Sequence, residues 1–209
     1  MPVPLGWTVR ALGREHAASF YHLSANSVRY YSLPLLRLGA LQPGLLPVLL
    51  LLFLVAPWWD IMLDVNLKGY WLAVKYVVPQ MLAQQTGGRI IMTSSVAGLR
   101  GEPGMAHYCA SKWGVIGLAK SLAQELAPHH ITVNTLHPTA VNTDIITGMA
   151  QAAEMTKEEL VDFIYQNHAM PVKLIEADDV ANAALWLTSE EARYVTGQKL
   201  KIDAGRMLK

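Results

Sequence analysis

Ser94-Ser95-Val96-Ala97-Gly98-Leu99-Arg100-Gly101-Glu102-Pro103-Gly104-Met105-Ala106-His107-Tyr108-Cys109-Ala110-Ser111-Lys112 joins an apolar run, Ile90 to Met92, to a periodic stretch that continues to Ala127. The short apolar run reads as a buried strand over Arg89 to Ser94, and Ala106 to Ala127 reads as a helix that stops at Pro128. Four residues separate Tyr108 from Lys112, so a helix places both on one face. Ser95 falls at the carboxyl end of the strand, where open parallel sheets bind ligands. A hydroxyl, a phenol and an ammonium are thereby expected to converge on one crevice.

A phenol with a reference pKa of ~10 is a poor base at neutral pH. A neighbouring ammonium favours the phenolate, and a two-unit lowering requires roughly 3 kcal/mol. On this reading Lys112 lowers the pKa of Tyr108, which exchanges a proton with an alcohol or carbonyl oxygen while Ser95 holds that oxygen. The carbon of the alcohol must then give up a hydride. No side chain accepts one; a nicotinamide does.

Working outward, Asn66 lies in Asp64-Val65-Asn66-Leu67-Lys68-Gly69, inside a second helical pattern running from Trp58 to Gln85. Ile61, Val65, Leu67, Trp71, Leu72, Val74, Val78 and Leu82 are its expected apolar face. Downstream, His137-Pro138-Thr139-Ala140-Val141-Asn142-Thr143 follows a further strand, Ile131 to Leu136. This set resembles the short-chain dehydrogenase/reductase family. The resemblance implies a catalytic tetrad of Asn66, Ser95, Tyr108 and Lys112. It also implies that Lys112 bonds the nicotinamide ribose, that the Asn66 backbone carbonyl holds a relay water, and that Pro138, Val141 and Thr143 contact the nicotinamide together with Tyr108 and Lys112. The family's usual Pro-Gly is here Pro138-Thr139. That form, with Ala106-His107-Tyr108 and Glu191-Ala192-Arg193-Tyr194-Val195-Thr196-Gly197, is similar to the carveol-dehydrogenase-like, mycofactocin-associated branch, whose members oxidise secondary alcohols with NAD. NAD is therefore the expected cofactor, with NADP as the alternative, and a small alcohol or ketone the expected substrate. The two long helices resemble those that pair subunits in the family, which implies a homo-oligomer.

The chain of 209 residues is 52% hydrophobic and 16% charged, with a formal net charge of +1. It can fill a core, and its charge gives no reason to expect nucleic-acid binding. A single cysteine, Cys109, excludes an internal disulfide and fits a reducing, cytoplasmic location. Cys109 reads as a small packing residue, and the histidines as packing or surface residues without metal-ligand spacing.

Residues 1–57 depart from this order. They carry Arg10, Arg14, Arg29 and Arg37 and then a Leu/Pro-rich stretch whose unbroken apolar run, Val48 to Ala56, is well short of the ~20 residues of a membrane-spanning helix. Complete members of the family open with a strand, a Thr-Gly-x-x-x-Gly-x-Gly turn and a helix that cradle the cofactor pyrophosphate. Gly6, Gly13, Gly39 and Gly44 are isolated and do not form that turn. Residues 1–57 are thus read as an atypical leader, and 58–209 as the carboxyl-side part of a dehydrogenase domain. The expected fold is α/β, a Rossmann-like three-layer parallel sheet incomplete at its amino-terminal side. Two other classes stay open: a catalytically inactive oligomerisation or binding module, and a membrane-attached protein using the Leu-rich run.

Towards the carboxyl end, Gly98 to Gly104 is expected to be flexible and to border the substrate. Thr156 and Glu159 form a capping-box pattern. The region Asn142 to Gln166 is implied by the resemblance to form a lid, with Met149, Met155, Phe163, Tyr165 and Met170 as candidate specificity residues. Glu176 to Asp179 opens a structural helix. Gln198 to Ile202 reads as the last strand.

Overall fold

The computed structural model describes residues 58–209, so the Leu/Pro-rich leader lies outside the described residues. Three parallel strands form one sheet: β1 (Gly88–Thr93), β2 (Ile131–Pro138) and β3 (Lys199–Ile202), in that spatial order. Gly88 pairs with Ile131 and Thr93 with Leu136; Thr135 pairs with Lys199 and Pro138 with Ile202. All eight residues of β2 are buried. It is the central strand, covered on both faces, which is why a parallel strand can be buried from end to end.

One face is covered by α2 (Ala106–Leu126). Its Val115, Ala119, Leu122, Ala123 and Leu126 pack on Met92, Ile131 and Val133. Spacing of three and four residues puts these side chains on one stripe. The helix ends one residue before the expected Ala127, and a 3-10 turn holding Pro128 follows. The opposite face is covered by α5 (Ala177–Thr188), whose Val180 and Leu187 pack with Leu136, Val141 and Ile175. The result is the expected three-layer α/β arrangement. Between β2 and α5, α3 (Ile145–Ala152) and α4 (Lys157–Gln166) share a small core of Ile146, Ala150, Leu160 and Ile164. Thr156 caps α4 and Glu159 closes the reciprocal capping box, as the sequence pattern suggests.

The chain is helical from residue 58, but it does not run as one regular helix. A π-turn over Asp64–Lys68 precedes α1 (Gly69–Gln84), and Gln85 ends it in the left-handed region. The π-turn inserts an extra residue and rotates everything after it by about 100° relative to a regular helix. The expected apolar face is accordingly divided. Leu67, Val74, Val78 and Leu82 pack on the α2–sheet core. Ile61, Val65, Trp71 and Leu72 are exposed, together with Tyr76 and Val77.

Candidate active site

At the carboxyl end of β1, Ser94 continues the ladder by donating its N–H to the Leu136 carbonyl at 2.8 Å. Its hydroxyl donates to the Lys112 carbonyl at 2.9 Å, tying the strand end to α2. Ser95 is extended, and its Oγ accepts the Ala97 N–H at 3.1 Å, which caps a 3-10 turn over Val96–Gly98. Gly98 is needed there for close approach. A Cβ at Gly98 would press on Ser94 Oγ and sit 2.9 Å from the Lys112 carbonyl oxygen. Gly98→Ala is expected to break the Ser94–Lys112 bond and cost about 1–3 kcal/mol, as overpacking does. An unchanged denaturation midpoint would contradict that account.

The loop beyond Gly98 is tied down, contrary to the expectation of a flexible segment. Glu102 Oε1 is 2.8 Å from Arg206 Nη2 and 3.2 Å from Arg100 Nε. Glu102 and Arg206 are both mostly buried, so this contact anchors the loop to the carboxyl-terminal residues.

The first turns of α2 bring Tyr108 and Lys112 together, with the Lys112 ammonium 5.6 Å from the Tyr108 ring centre. The Ser95 side chain lies close enough to the Tyr108 phenol to favour its ionised form. Lys112 is buried, and its Nζ donates to the Thr93 carbonyl at 3.1 Å. Burial pushes its pKa from 10.5 down to about 8. Tyr108 moves the other way from the sequence expectation. Burial raises its pKa above the ordinary value, and the Ser95 side chain offsets this only in part. The reason is that the ammonium points to the Thr93 carbonyl and lies against the ring, while desolvation acts directly on the phenolate.

Asn66 is buried at the π-turn, where its Nδ2 donates to Ser111 Oγ at 3.2 Å and contacts Met62 Sδ at 2.8 Å. Ser111 in turn donates to the Tyr108 carbonyl at 2.7 Å. The side chain of Asn66 is therefore joined to the backbone of Tyr108, and π-turns of this kind frequently occur at functional positions.

The segment after β2 leaves the sheet at the same, carboxyl, end as Ser95. Val141 forms an isolated parallel bridge with Ile175, in which Asn142 N–H donates to Ile175 O and Ile175 N–H to Ala140 O. The bridge uses the flanking residues and turns Val141's own N–H and C=O to the opposite edge. The Val141 side chain itself is packed in the core. Thr143 Oγ1 lies 3.4 Å from the Val141 carbonyl. Thr139, in place of the family's usual glycine, is buried, and its Oγ1 is 2.9 Å from His168 Nε2. His168 Nδ1 is 2.7 Å from the Val172 carbonyl, so the residues after α4 are held to the Pro138-Thr139 turn.

Of the candidate specificity residues, Met149 packs against the α3–α4 core, while Phe163, Tyr165 and Met170 are exposed. Cys109 is buried, as its packing role requires. His107 is half-buried, and burial holds its pKa below the ordinary value.

Three residues near the tetrad escape a motif-based reading. Tyr70 accepts the Thr93 N–H at 3.0 Å and lies 3.4 Å from the Thr93 carbonyl. Thr135 and His137 are fully buried and form a hydrogen-bonded pair. Their period-two spacing with Val133 is the signal that would have placed them on the α2 side of the sheet. A groove of about 300 Å³ lies elsewhere, lined by Leu63, Leu67, Trp71, Leu118 and the Asp64–Lys68 ion pair. β1 is an edge of the described sheet.

Residues 52–206 match the family model described as enoyl-(acyl carrier protein) reductase. The (-)-trans-carveol dehydrogenase of Rhodococcus erythropolis is 45% identical over 158 residues, which cover 72% of this chain and 57% of the relative. A 3-oxoacyl-[acyl-carrier-protein] reductase of Staphylococcus aureus is 40% identical, with 70% of this chain and 56% of the relative covered. The crystal structure of carveol dehydrogenase from Mycobacterium avium in complex with NAD superposes with a TM-score of 0.69 at 40% identity, covering 73% of this chain and 58% of that one. The chain thus spans somewhat more than half the length of the relatives it matches. A family match over most of the chain, agreeing with relatives of 40–45% identity and with the parallel α/β fold, shows that the chain belongs to the short-chain dehydrogenase/reductase family.

Proposed function

We propose that the chain is an oxidoreductase that interconverts a secondary alcohol and a ketone with NAD, or less favourably NADP, and that residues 58–209 are the carboxyl-side part of its catalytic domain. The observation that carries this reading is the convergence of Ser95, Tyr108 and Lys112, with the serine side chain acting on the phenol and the ammonium 5.6 Å from the ring centre. Tyr108 gives a proton to, or takes one from, the substrate oxygen. Ser95 holds that oxygen. Asn66 positions Tyr108 through Ser111, and its backbone carbonyl serves the proton relay. At neutral pH the raised phenol is protonated, which suits donation to a ketone oxygen; alcohol oxidation needs the phenolate, which the Ser95 side chain favours.

The described residues fit the nicotinamide end of such a cofactor. Lys112 has three donors, of which the Thr93 carbonyl takes one, and it is a buried cation beside a phenol at the ligand-binding end of the sheet. Lys112 and Tyr108 would hold the ribose, and Pro138, the backbone of Val141 and Thr143 would hold the carboxamide. A bound nicotinamide supplies the hydride acceptor or donor that no side chain provides.

A second reading has its own support. Trp71, which lines the groove, and Tyr76, Val77 and Trp113 leave large apolar groups exposed on α1 and α2. Patches of this kind mark association surfaces. On this reading the chain pairs through its two long helices and binds no cofactor. The first reading accommodates the same pairing. No helix among the described residues is long and apolar enough to cross a membrane.

Titration of the purified chain with NADH, followed by quenching of tryptophan emission, separates the two. Saturable quenching below millimolar cofactor is expected. Absence of quenching in a chain that sediments as a dimer would favour the assembly module.

A further inference from the structure

We infer that His137 is a positioning residue that fixes the Ser95 backbone so that its hydroxyl faces Tyr108. The inference rests on the proposed pairing of Ser95 with Tyr108. His137 has no exposed surface and lies at the carboxyl end of β2, on the face covered by α2. Its Nδ1 is 2.8 Å from the Ser95 carbonyl oxygen, and its Nε2 is 2.8 Å from Thr135 Oγ1.

These contacts select one tautomer. A carbonyl oxygen only accepts, so Nδ1 carries the proton and donates to Ser95. In the neutral ring Nε2 is then an acceptor and takes the Thr135 hydroxyl proton. Burial and the Lys112, Lys199 and Lys201 cations keep the ring neutral by pushing its pKa below the ordinary value. If the ring were charged, Nε2 would donate to Thr135, whose hydroxyl would turn to the Gln198 carbonyl 3.2 Å away.

The Ser95 carbonyl also receives the Gly98 N–H at 2.9 Å, and Ser95 Oγ receives the Ala97 N–H at 3.1 Å. His137 reaches the Ser95 carbonyl from outside the local turn. It connects the serine to the central strand, so the serine's place is set by the sheet as well as by its own loop. A side chain held by rigid elements is better positioned than one held by a loop alone.

The test uses tyrosine labelled with ¹³C at Cζ, whose shift reports hydrogen bonding to the phenol. The Tyr108 resonance is the one lost in Tyr108→Phe. Ser95→Ala is expected to move it. His137→Ala and His137→Gln are expected to move it in the same direction, because neither supplies a donor at the Nδ1 position. His137→Asn, whose amide nitrogen replaces Nδ1, is expected to return it to the wild-type position.

A resonance that moves in Ser95→Ala but stays in place in His137→Ala overturns the positioning role alone. So does equal behaviour of the Asn and Gln variants, which would mean simple space filling. A resonance indifferent to Ser95→Ala overturns the serine–tyrosine pairing and this inference with it. Nitrogen-15 shifts of the wild-type imidazole give a check that needs no variant: the Nδ1–H tautomer is expected, and the Nε2–H tautomer would refute the inference.

Discussion

Tyr108→Phe is expected to lower turnover of a secondary alcohol or ketone by ~10²–10⁴-fold, the range that a positioned acid or base contributes. The substitution keeps the ring and removes only the oxygen that exchanges the proton. Packing against the Lys112 ammonium and the first turn of α2 is retained. Ser95 Oγ keeps the Ala97 N–H. The stability change should therefore remain near the ~1 kcal/mol of a single hydrogen bond. The measurement is steady-state oxidation with NAD, paired with a denaturation curve. A rate within tenfold of wild type, in a variant that folds normally, would remove Tyr108 from the proton-transfer role.

Lys112→Met should make the fold more stable while disabling the site. Lys112 is 5% exposed, and its pKa falls from 10.5 to about 8 by burial. A change of that size corresponds to roughly 3 kcal/mol of penalty on the charged form. The hydrogen bond to the Thr93 carbonyl is lost in the variant, although Tyr70 Oη remains near that oxygen. A net gain of about 1–3 kcal/mol at pH 7 is expected after allowing for that loss.

The pH dependence supplies an independent check. Because the folded pKa is lowered, the native state binds fewer protons than the unfolded chain between pH 8 and 10.5. Stability of the wild type therefore rises with pH across that window, and the penalty is fully present below about pH 8. Tyr70 and Tyr108 have raised values and act in the opposite sense above pH 10. The comparison is therefore made between pH 8 and 10, where the variant's advantage should shrink as pH rises. A variant less stable than wild type at pH 7, or an advantage independent of pH, would show that the buried ammonium is not a cost. The gain on removing it would follow the common pattern in which a functional group is kept at the expense of stability.

Much of the site could be read from residue spacing. Helical periodicity puts Tyr108 and Lys112 on one face, and the apolar run before Ser95 marks the strand that ends there. The capping pattern at Thr156 and the stop at Pro128 are equally local. The apolar faces of α1 were harder to read. The π-turn at Asn66 shifts the phase; Asn66 and Gly69 mark an interruption of the helical pattern, but not the extra residue it inserts. His137 could be read only as a packing or surface residue of the His137-Pro138-Thr139 segment, because its partner Ser95 lies forty-two residues earlier.

Local order thus sufficed to determine which groups occupy the carboxyl end of the sheet, because hydrophobic period and turn chemistry act between near neighbours in the chain. The tertiary structure alone decided the ionisation of those groups and which apolar side chains were covered. Desolvation of Tyr108 and Lys112, the neutrality of His137 and the exposure of Trp71 all depend on what distant segments place around them. Burial and electrostatic fields are properties of packed space, and sequence separation does not measure them.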